Sequence, residues 1–281
     1  MPRLDRRYSA AERLACRYVP FYQRALRTGT YWAHEAQAVA LARFPALLKP
    51  VELVARAKLR REVRDPALRR RLRPDYKLGC KRILLSNTYY PAFNLDHVRL
   101  VTDGITEIRE KSLVTADGTE HPTDVIVFAT GFHVTDSPMY RRIFGKDGRS
   151  LGEVFDTLGR KCYKGTAIAG FPNMFLLVGP NTGLGHNSMI FMIEAQVNYL
   201  AGALDLMRRR GLRTIEVRTA AQEAFHRNLQ RKLSRSVWNT GGCASWYLDK
   251  HGANTTMWPG FSYAFRRITR TFDVDAYHIS R

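Results

Sequence analysis

The fold prediction starts from residues 124–132, Asp-Val-Ile-Val-Phe-Ala-Thr-Gly-Phe, an apolar run that ends at a glycine and an aromatic residue. A continuous apolar run of this length is typical of a parallel β-strand that is buried on both faces. Residues 174–178, Met-Phe-Leu-Leu-Val, form a second run of this kind and lead into Gly179-Pro-Asn-Thr-Gly183. We therefore predict two buried strands, each followed by a glycine turn.

Shorter strands and long helices surround these two runs. Strands are predicted at 98–101, 104–108, 112–115 and 214–217, and helices at 187–209 and 220–235. The Ala116-Asp117-Gly118 turn between two alternating runs is a strong hairpin signal, and Gly211 is a typical helix stop. Strands that are followed by helices and end in glycines indicate a doubly wound α/β architecture, in which ligands bind at the carboxyl ends of strands.

The first 73 residues have a helical pattern and contain no obvious chemistry. Ser9 and Glu12 have the spacing of a capping box at the start of a helix. A second helix is predicted at 30–43, after a break at Gly29, and a third at 51–72, which ends before Pro74. We therefore expect an N-terminal helical segment.

The charge balance is strongly basic. The 281 residues include 45 Lys and Arg against 25 Asp and Glu, a formal charge of +20, and stretches such as 56–61 and 69–73 carry much of the excess. A basic face can bind nucleic acid, an anionic membrane or a phosphorylated ligand. The arginines lack the interleaved aromatic residues of a single-strand-binding platform, so nucleic-acid binding is kept only as a remote alternative.

The cysteine pattern predicts neither a disulfide framework nor a zinc site. Cys16, Cys80, Cys162 and Cys243 are far apart in sequence and contain no CxxC pair, and the eight histidines form no HxxxH-type pair. The first residues do not resemble a signal peptide, and no apolar run has the length of a membrane span. These features predict a protein of the reducing cytoplasm with no metal site.

Four stretches, in order, resemble class B flavoprotein monooxygenases, above all the Baeyer–Villiger and 4-hydroxyacetophenone monooxygenase branch. They are Gly79-Cys-Lys-Arg82 with Asn87-Thr-Tyr-Tyr-Pro-Ala-Phe-Asn94; the 124–132 run; Pro172-Asn-Met-Phe175 with Gly179–Gly183 and Glu194-Ala-Gln196; and Ser245-Trp-Tyr247 with Gly252-Ala-Asn254 and Trp258-Pro-Gly260. The resemblance covers nearly the whole chain from about residue 5, and four motifs in the family's order are hard to explain by chance.

The resemblance implies an incomplete doubly wound FAD/NAD(P)-binding two-domain architecture. Residues 1–73 would be the helical segment, 74–128 the C-terminal part of the NADPH-binding domain, and 129–281 the C-terminal part of the FAD-binding domain. Neither of the family's GxGxxG loops, for FAD and for NADPH, is present in this sequence. We therefore expect the chain to lack activity on its own, either as a non-catalytic fragment or as one half of a split enzyme with a separately encoded N-terminal partner.

The resemblance assigns the catalytic role to Arg82. In the family, NADPH reduces FAD, oxygen adds to the reduced flavin, and the resulting anion attacks the carbonyl carbon of a ketone. A guanidinium suits this site because it stays charged in a dry pocket. By residue type alone, without the flanking motif, the favoured interpretation of Arg82 is an arginine at a strand end that pairs with a nearby carboxylate. Lys81 would contact the 2′-phosphate of NADP, or else be a solvated lysine.

The remaining site residues are also implied by the resemblance. Cofactor contacts are expected from Ala129, Thr130, Gly131, Phe132, Asn181, Thr182, Gly183, Trp246 and Asn254, and the substrate pocket from Leu184, Gly185, His186 and Met189. Glycine at these turns would let the backbone approach a cofactor. Trp246 could equally be a packed aromatic residue, and Met189 a core residue. His186 is interpreted as a histidine near a helix start and not as a general base.

The function implied is NADPH- and O2-dependent insertion of oxygen into a hydrophobic ketone. N- or S-oxygenation is the close alternative, since the same flavin chemistry performs both. The substrate and the oligomeric state do not follow from the sequence.

Overall fold

The computed structural model describes residues 7–131, 134, 137–249 and 251–281, so Phe132 lies outside the described residues. The helices are α1 (Ala10–Tyr18), α2 (Tyr22–Ala38), α3 (Lys49–Glu62), α4 (Pro66–Leu72), α5 (Tyr89–Ala92), α6 (Leu151–Leu158), α7 (Met189–Arg210), α8 (Thr219–Leu233), α9 (Val237–Thr240) and α10 (Ser262–Ile268). The strands are β1 (Ile105–Ile108), β2 (Ser112–Thr115), β3 (Glu120–Pro122), β4 (Thr214–Val217) and β5 (Tyr277–Ser280). The chain divides into two compact units, and α3 contains the boundary at residues 54–55.

The first unit contains residues 55–73 and 85–134. Its sheet has the order β1-β2-β3 with antiparallel pairing, and Leu113 lies opposite both Ile108 and His121. The Asp117 side chain closes the predicted hairpin turn, because it accepts hydrogen bonds from the Thr119 backbone N–H and from the Thr115 hydroxyl. These bonds lower the pKa of the Asp117 carboxyl to about 2. The hairpin prediction is confirmed.

The predicted buried strand at 124–131 is wrong. The structure forms no regular strand there, and Val125, Val127 and Phe128 are 77%, 84% and 71% exposed. A strand requires a hydrogen-bonded neighbour, and no described residue pairs with this segment. Apolar composition therefore did not produce a strand in this chain, and the segment presents a hydrophobic surface.

The predicted strands at 174–178 and 98–101 are also wrong. Phe175 forms only an isolated antiparallel bridge with Ala167, and residues 98–101 have no ladder partner among the described residues. Val178 has a φ of 56°, in the left-handed region, which is unfavourable for a β-branched residue and incompatible with an extended strand. Extended structure therefore ends before the Gly179 turn.

The second unit contains residues 7–54, 74–84 and 137–281, and it holds the hydrophobic core of the described residues. Helix α7 runs through this core, with Met192 and Tyr199 fully buried on its face. Gly211 ends α7 in the left-handed conformation, as predicted. Strand β4 then pairs antiparallel with β5, and α8 follows close to its predicted bounds.

The N-terminal helical segment is confirmed, with two differences in its helix boundaries. The capping box of α1 is present, because Ser9 and Glu12 exchange hydrogen bonds as predicted. Helix α2 passes through Gly29 without a break, since a single glycine costs a helix only about 1 kcal/mol. The third predicted helix is divided into α3 and α4 because Pro66 starts a new helix, which Asp65 caps.

Among the described residues, no helix is long and apolar enough to cross a bilayer. The strand ladders within the described residues are antiparallel, and the parallel contact there is an isolated bridge between Gly183 and Met257. Helices and sheets are therefore mixed along the chain, in agreement with the α/β class.

The core of the second unit leads to a stability prediction. Leu233 is fully buried against Val237 and Trp238, whereas Leu204 on α7 is 55% exposed. Leu233→Ala should lower the free energy of unfolding by about 2–5 kcal/mol, because it leaves a cavity, and Leu204→Ala by less than about 0.5 kcal/mol. Urea denaturation of the full chain, followed by circular dichroism, measures both. Equal destabilisation by the two substitutions would contradict this packing.

Candidate active site

Three contacts within the second unit hold residues 74–84, the segment that carries Lys81 and Arg82. The Lys77 backbone N–H donates to the Gly241 carbonyl at 2.9 Å. Cys80 is joined to Cys243 by a disulfide. One Nη of Arg82 donates to the Leu184 carbonyl at 3.2 Å. The segment is therefore fixed at one end to residues 241–243 and at the other to the loop that follows Gly179.

The disulfide corrects the expectation that none would form. The Cα atoms of Cys80 and Cys243 are 6.2 Å apart although 163 residues separate them in sequence, so the absence of a CxxC spacing was not informative. Gly241 permits the approach, because a Cβ there would lie 2.5 Å from the Cβ of Cys80. Cys16 and Cys162 are free thiols, and burial raises the pKa of the Cys162 thiol far above its usual range.

Arg82 is exposed, and no carboxylate of the described residues pairs with it. Its hydrogen bond to Leu184 uses one of the five donors of a guanidinium. The positive charge of Arg82 also acts on Tyr247. Burial raises the pKa of the Tyr247 phenol, and the charge of Arg82 opposes that rise. The sequence left open a carboxylate-paired arginine, and the described contacts do not contain that pair. The charge and the remaining donors of Arg82 are suited to an anionic group.

Lys81 is exposed beside Arg82, and its Nζ lies 5.0 Å from the centre of the Tyr76 ring. This is a cation–π contact, which leaves the ammonium donors available to an acceptor such as a phosphate. The contact with a 2′-phosphate stays a prediction.

Hydrogen bonds to residues 254–258 shape the loop after Gly179. Asn181 is buried with a φ of 60°, and its Nδ2 donates to the carbonyls of Asn254 and Met257 at 2.7 and 3.1 Å. The Thr182 hydroxyl donates to the Gly179 carbonyl, and the Gly183 N–H donates to the Thr256 carbonyl. The Asn181 Nδ2 and the Thr182 hydroxyl therefore donate their hydrogen bonds within this region.

Asn254 and Trp246 differ in what they can offer a ligand. Asn254 is fully buried, its Oδ1 accepts from the N–H groups of Thr256 and Met257, and its Nδ2 donates to Asn239. Trp246 is 51% exposed and contacts Tyr247 edge to face at 4.7 Å between ring centres. Trp246 therefore presents a free aromatic face, while the Asn254 side chain is committed to the loop.

The predicted pocket residues divide by burial. Leu184 and His186 are buried, whereas Gly185 and Met189 are partly exposed. Gly185 lies close to Trp238, since a Cβ at Gly185 would be 3.0 Å from that ring. Both ring nitrogens of His186 are buried with no hydrogen-bond partner. His186 precedes α7, in agreement with its interpretation as a histidine near a helix start.

Sequence reasoning missed Glu35, a fully buried carboxylate on α2. Its Oε1 accepts from the Asn187 amide at 2.6 Å and from the Ser262 hydroxyl at 2.5 Å, and it lies 3.6 Å from His186 Nε2. The available signal was a lone acidic residue in the helical pattern of α2, and nothing in the pattern indicated its partners.

The motif at 129–131 belongs to the other compact unit. Ala129, Thr130 and Gly131 are exposed, and Gly131 has a φ of 88°, which favours glycine. Phe132 lies outside the described residues. The contact of this motif with a cofactor stays a prediction.

Five arginines of the first unit line one cavity. This cavity of about 300 Å³ is lined by Arg56, Leu59, Arg60, Pro66, Arg69, Arg70 and Arg73. None of these residues is aromatic, so the cavity lacks the stacking surface of a single-strand-binding site. Nucleic-acid binding stays an untested alternative. Within the described part of the chain, no group of three or more His, Cys, Asp or Glu could hold a metal ion.

No protein-family model matches the chain. Among curated proteins, it is 48% identical over 283 residues to a Baeyer–Villiger monooxygenase of Streptomyces coelicolor and 45% identical over 281 residues to one of Pseudomonas aeruginosa. Both alignments cover 100% of this chain and only 54% and 53% of the relatives. The chain therefore spans about half the length of the curated relatives it matches.

Solved structures give the same result. Cyclohexanone monooxygenase from Rhodococcus sp. Phi1 bound to NADP+ matches with a TM-score of 0.75 and 27% identity, over 86% of this chain and 46% of that one. Oxidized steroid monooxygenase bound to NADP matches with a TM-score of 0.73 and 29% identity, over 86% of this chain and 47% of that one.

The fold and these similarities define a flavoprotein monooxygenase architecture of which this chain holds about half. In agreement with the resemblance seen in its motifs, the whole chain is similar to about half of each of two proteins named Baeyer–Villiger monooxygenase, as expected for the C-terminal part of such a protein.

The disulfide leads to a direct prediction. Peptide mapping of the unreduced, alkylated chain should recover the peptides that contain Cys80 and Cys243 as one linked species, which reduction separates. Cys16 and, after unfolding, Cys162 should be alkylated. Gly241→Ala should lower the linked fraction, because the added methyl group collides with Cys80. Full alkylation of Cys80 in the unreduced, unfolded chain would contradict the pairing.

Proposed function

We propose that this chain provides the arginine-bearing half of the active site of an FAD- and NADPH-dependent Baeyer–Villiger monooxygenase. The reaction converts a hydrophobic ketone, O2, NADPH and a proton into an ester or lactone, NADP+ and water. The observation that carries the proposal is Arg82, an exposed guanidinium held beside the 179–189 loop without a carboxylate partner among the described residues.

The arrangement around Arg82 suits stabilisation of a developing anion. When bound, FAD and NADPH supply the reducing electrons and the position at which O2 is activated. Arginine is the side chain best suited to supply a fixed positive charge, and the hydrogen bond of Arg82 to Leu184 orients the guanidinium before substrate arrives. A charge that is already in place costs no reorganisation when negative charge develops.

The other residues have supporting roles in this proposal. Lys81 contacts the 2′-phosphate of NADP, and Trp246 packs near the nicotinamide end. The backbone of Asn181, Thr182 and Gly183 borders the flavin. Leu184, Gly185, His186 and Met189 border the ketone. The NADP named in the titles of the two solved monooxygenases supports the choice of this cofactor.

This sequence contains neither GxGxxG loop, and it matches only 54% and 53% of the two curated relatives. We propose that an N-terminal half with these loops, in the same protein or separately encoded, completes the site. The alternative is a non-catalytic fragment. A cytoplasmic location stays a proposal, and the Cys80–Cys243 disulfide is the observation that weighs against it.

The purified chain should be colourless, because it lacks the phosphate-binding loop that holds a dinucleotide. Its visible absorption spectrum, recorded after incubation with FAD and desalting, tests this. Co-expression with the N-terminal half of the Pseudomonas aeruginosa relative should give a yellow protein if the halves complement each other. If the chain were yellow without that half, it would bind FAD alone, and the proposal that the N-terminal half is needed to bind FAD would be wrong.

In the complemented flavoprotein, Arg82→Ala should reduce ester formation on the order of 100-fold or more, because it removes the cation beside the developing anion. Oxidation of NADPH should continue, with its electrons lost as hydrogen peroxide. Arg82→Lys should retain more activity, because it keeps the charge, and Arg208→Ala, at an 83% exposed position on α7, should change nothing. Product analysis by gas chromatography with a peroxide assay measures both outcomes.

Undiminished ester formation by Arg82→Ala would refute the assignment of Arg82. Assays of the unsubstituted flavoprotein with amine and sulfide substrates separate the alternatives. Oxygenation of these substrates without any ketone oxidation would identify an N- or S-oxygenating enzyme.

A further inference from the structure

The Glu35 carboxylate is buried where three parts of the second unit meet. Both of its oxygens accept from the Ser262 backbone N–H, at 3.2 and 3.0 Å, and Oε1 also accepts from the Ser262 hydroxyl. Oε1 accepts in addition from the Asn187 side-chain amide at 2.6 Å. These donors satisfy the buried carboxylate, which would otherwise be strongly unfavourable in the interior.

The titratable and charged groups around Glu35 are His186, His34, Tyr31 and Arg266. His186 faces it at 3.6 Å, and burial lowers the pKa of this imidazole, an effect that the charge of Glu35 opposes. His34 also lowers the pKa of His186. The Tyr31 hydroxyl forms a hydrogen bond with the Ser262 hydroxyl. Burial raises the pKa of Tyr31, and the charge of Arg266 acts in the opposite direction. At neutral pH His186 is therefore uncharged.

Residues 184–187 are held from both ends by charged side chains. At one end the Leu184 carbonyl accepts from Arg82, and at the other the Asn187 amide donates to Glu35. Only Gly185 and His186 lie between these two contacts, and Gly185 is confined by Trp238. A segment this short transmits a displacement at one end to the other, so the position of Asn187 affects the acceptor that orients Arg82.

We propose that Glu35 is a positioning residue for the oxygenation reaction: through Asn187 it fixes residues 184–187, and through the Leu184 carbonyl it sets the direction of the Arg82 guanidinium. This inference rests on the proposed function and adds to it a role for the N-terminal helix α2, whose residues carry none of the family motifs. Glu35 touches neither Arg82 nor Leu184 directly, so its effect on the reaction passes through the 184–187 segment.

A purely structural role for Glu35 is also conceivable, because Ser262 is the first residue of the short helix α10. The two roles use different bonds. The contacts with Ser262 serve the start of α10, while the contact with Asn187 serves the 184–187 segment. Asn187→Ala removes the second contact and leaves the first, so it separates the two roles even if Glu35→Gln destabilises the whole chain.

Amide hydrogen exchange of the full chain, read by mass spectrometry, tests the proposal without requiring activity. In Asn187→Ala, exchange should increase on the order of tenfold in residues 184–187, with α10 unchanged. The substitution removes the hydrogen bond to the Glu35 carboxylate and also the one that Asn187 Oδ1 accepts from the Ser188 N–H. In Glu35→Gln both regions should exchange faster. Glu110→Gln, at an exposed turn of the other unit, is the matched control and should change neither region.

Unchanged exchange of residues 184–187 in both variants, with faster exchange of α10 in Glu35→Gln, would overturn the proposal and leave Glu35 as a helix cap. In the complemented flavoprotein, Asn187→Ala should raise KM for the ketone several-fold while the rate of flavin reduction by NADPH is kept. If ketone binding and the rate of flavin reduction by NADPH were impaired to the same extent, the proposal would also be overturned. If no complemented flavoprotein is active, the proposed function fails, and hydrogen exchange still decides whether Glu35 fixes the segment.

Discussion

The candidate site depends on two buried amide side chains, Asn181 and Asn254. The Asn181 Nδ2 donates hydrogen bonds to the carbonyls of Asn254 and Met257. The Asn254 Oδ1 accepts hydrogen bonds from the backbone N–H groups of Thr256 and Met257. Backbone groups in a loop have no regular ladder partner, and burying them unpaired costs free energy. These two amides satisfy them and so allow an irregular loop to be packed in the interior, immediately before the residues that contact Arg82.

The contacts around Arg82 show how a charge is positioned without being neutralised. A carboxylate partner would hold the guanidinium firmly but would also cancel much of its field. Here a backbone carbonyl orients it, and the disulfide and the Lys77–Gly241 hydrogen bond anchor the preceding residues. Glu35, a buried carboxylate, lies at the other end of the 184–187 segment, where it accepts hydrogen bonds from Asn187 and Ser262.

Local signals predicted local structure well. The capping box of α1, the Asp-Gly hairpin turn and the glycine stop of α7 all form as expected, since each is determined by residues within one turn of one another. The long-range expectations based on apolarity did worse. Residues 124–131 are as apolar as a buried strand, yet no described strand pairs with them, because pairing requires a neighbour that the segment itself does not contain.

The sequence by itself indicated the family resemblance and the approximate helices of the second unit, because four short motifs and local helix signals carry this information in their residue types and order. The site residues that the same motifs imply stay predictions. Only the tertiary structure decided that Cys80 meets Cys243, that Arg82 orients on Leu184, and that Glu35 lies against His186, Asn187 and Ser262. Each of these contacts joins residues about 100 or more positions apart, and their distance in space depends on the packing of the core between them.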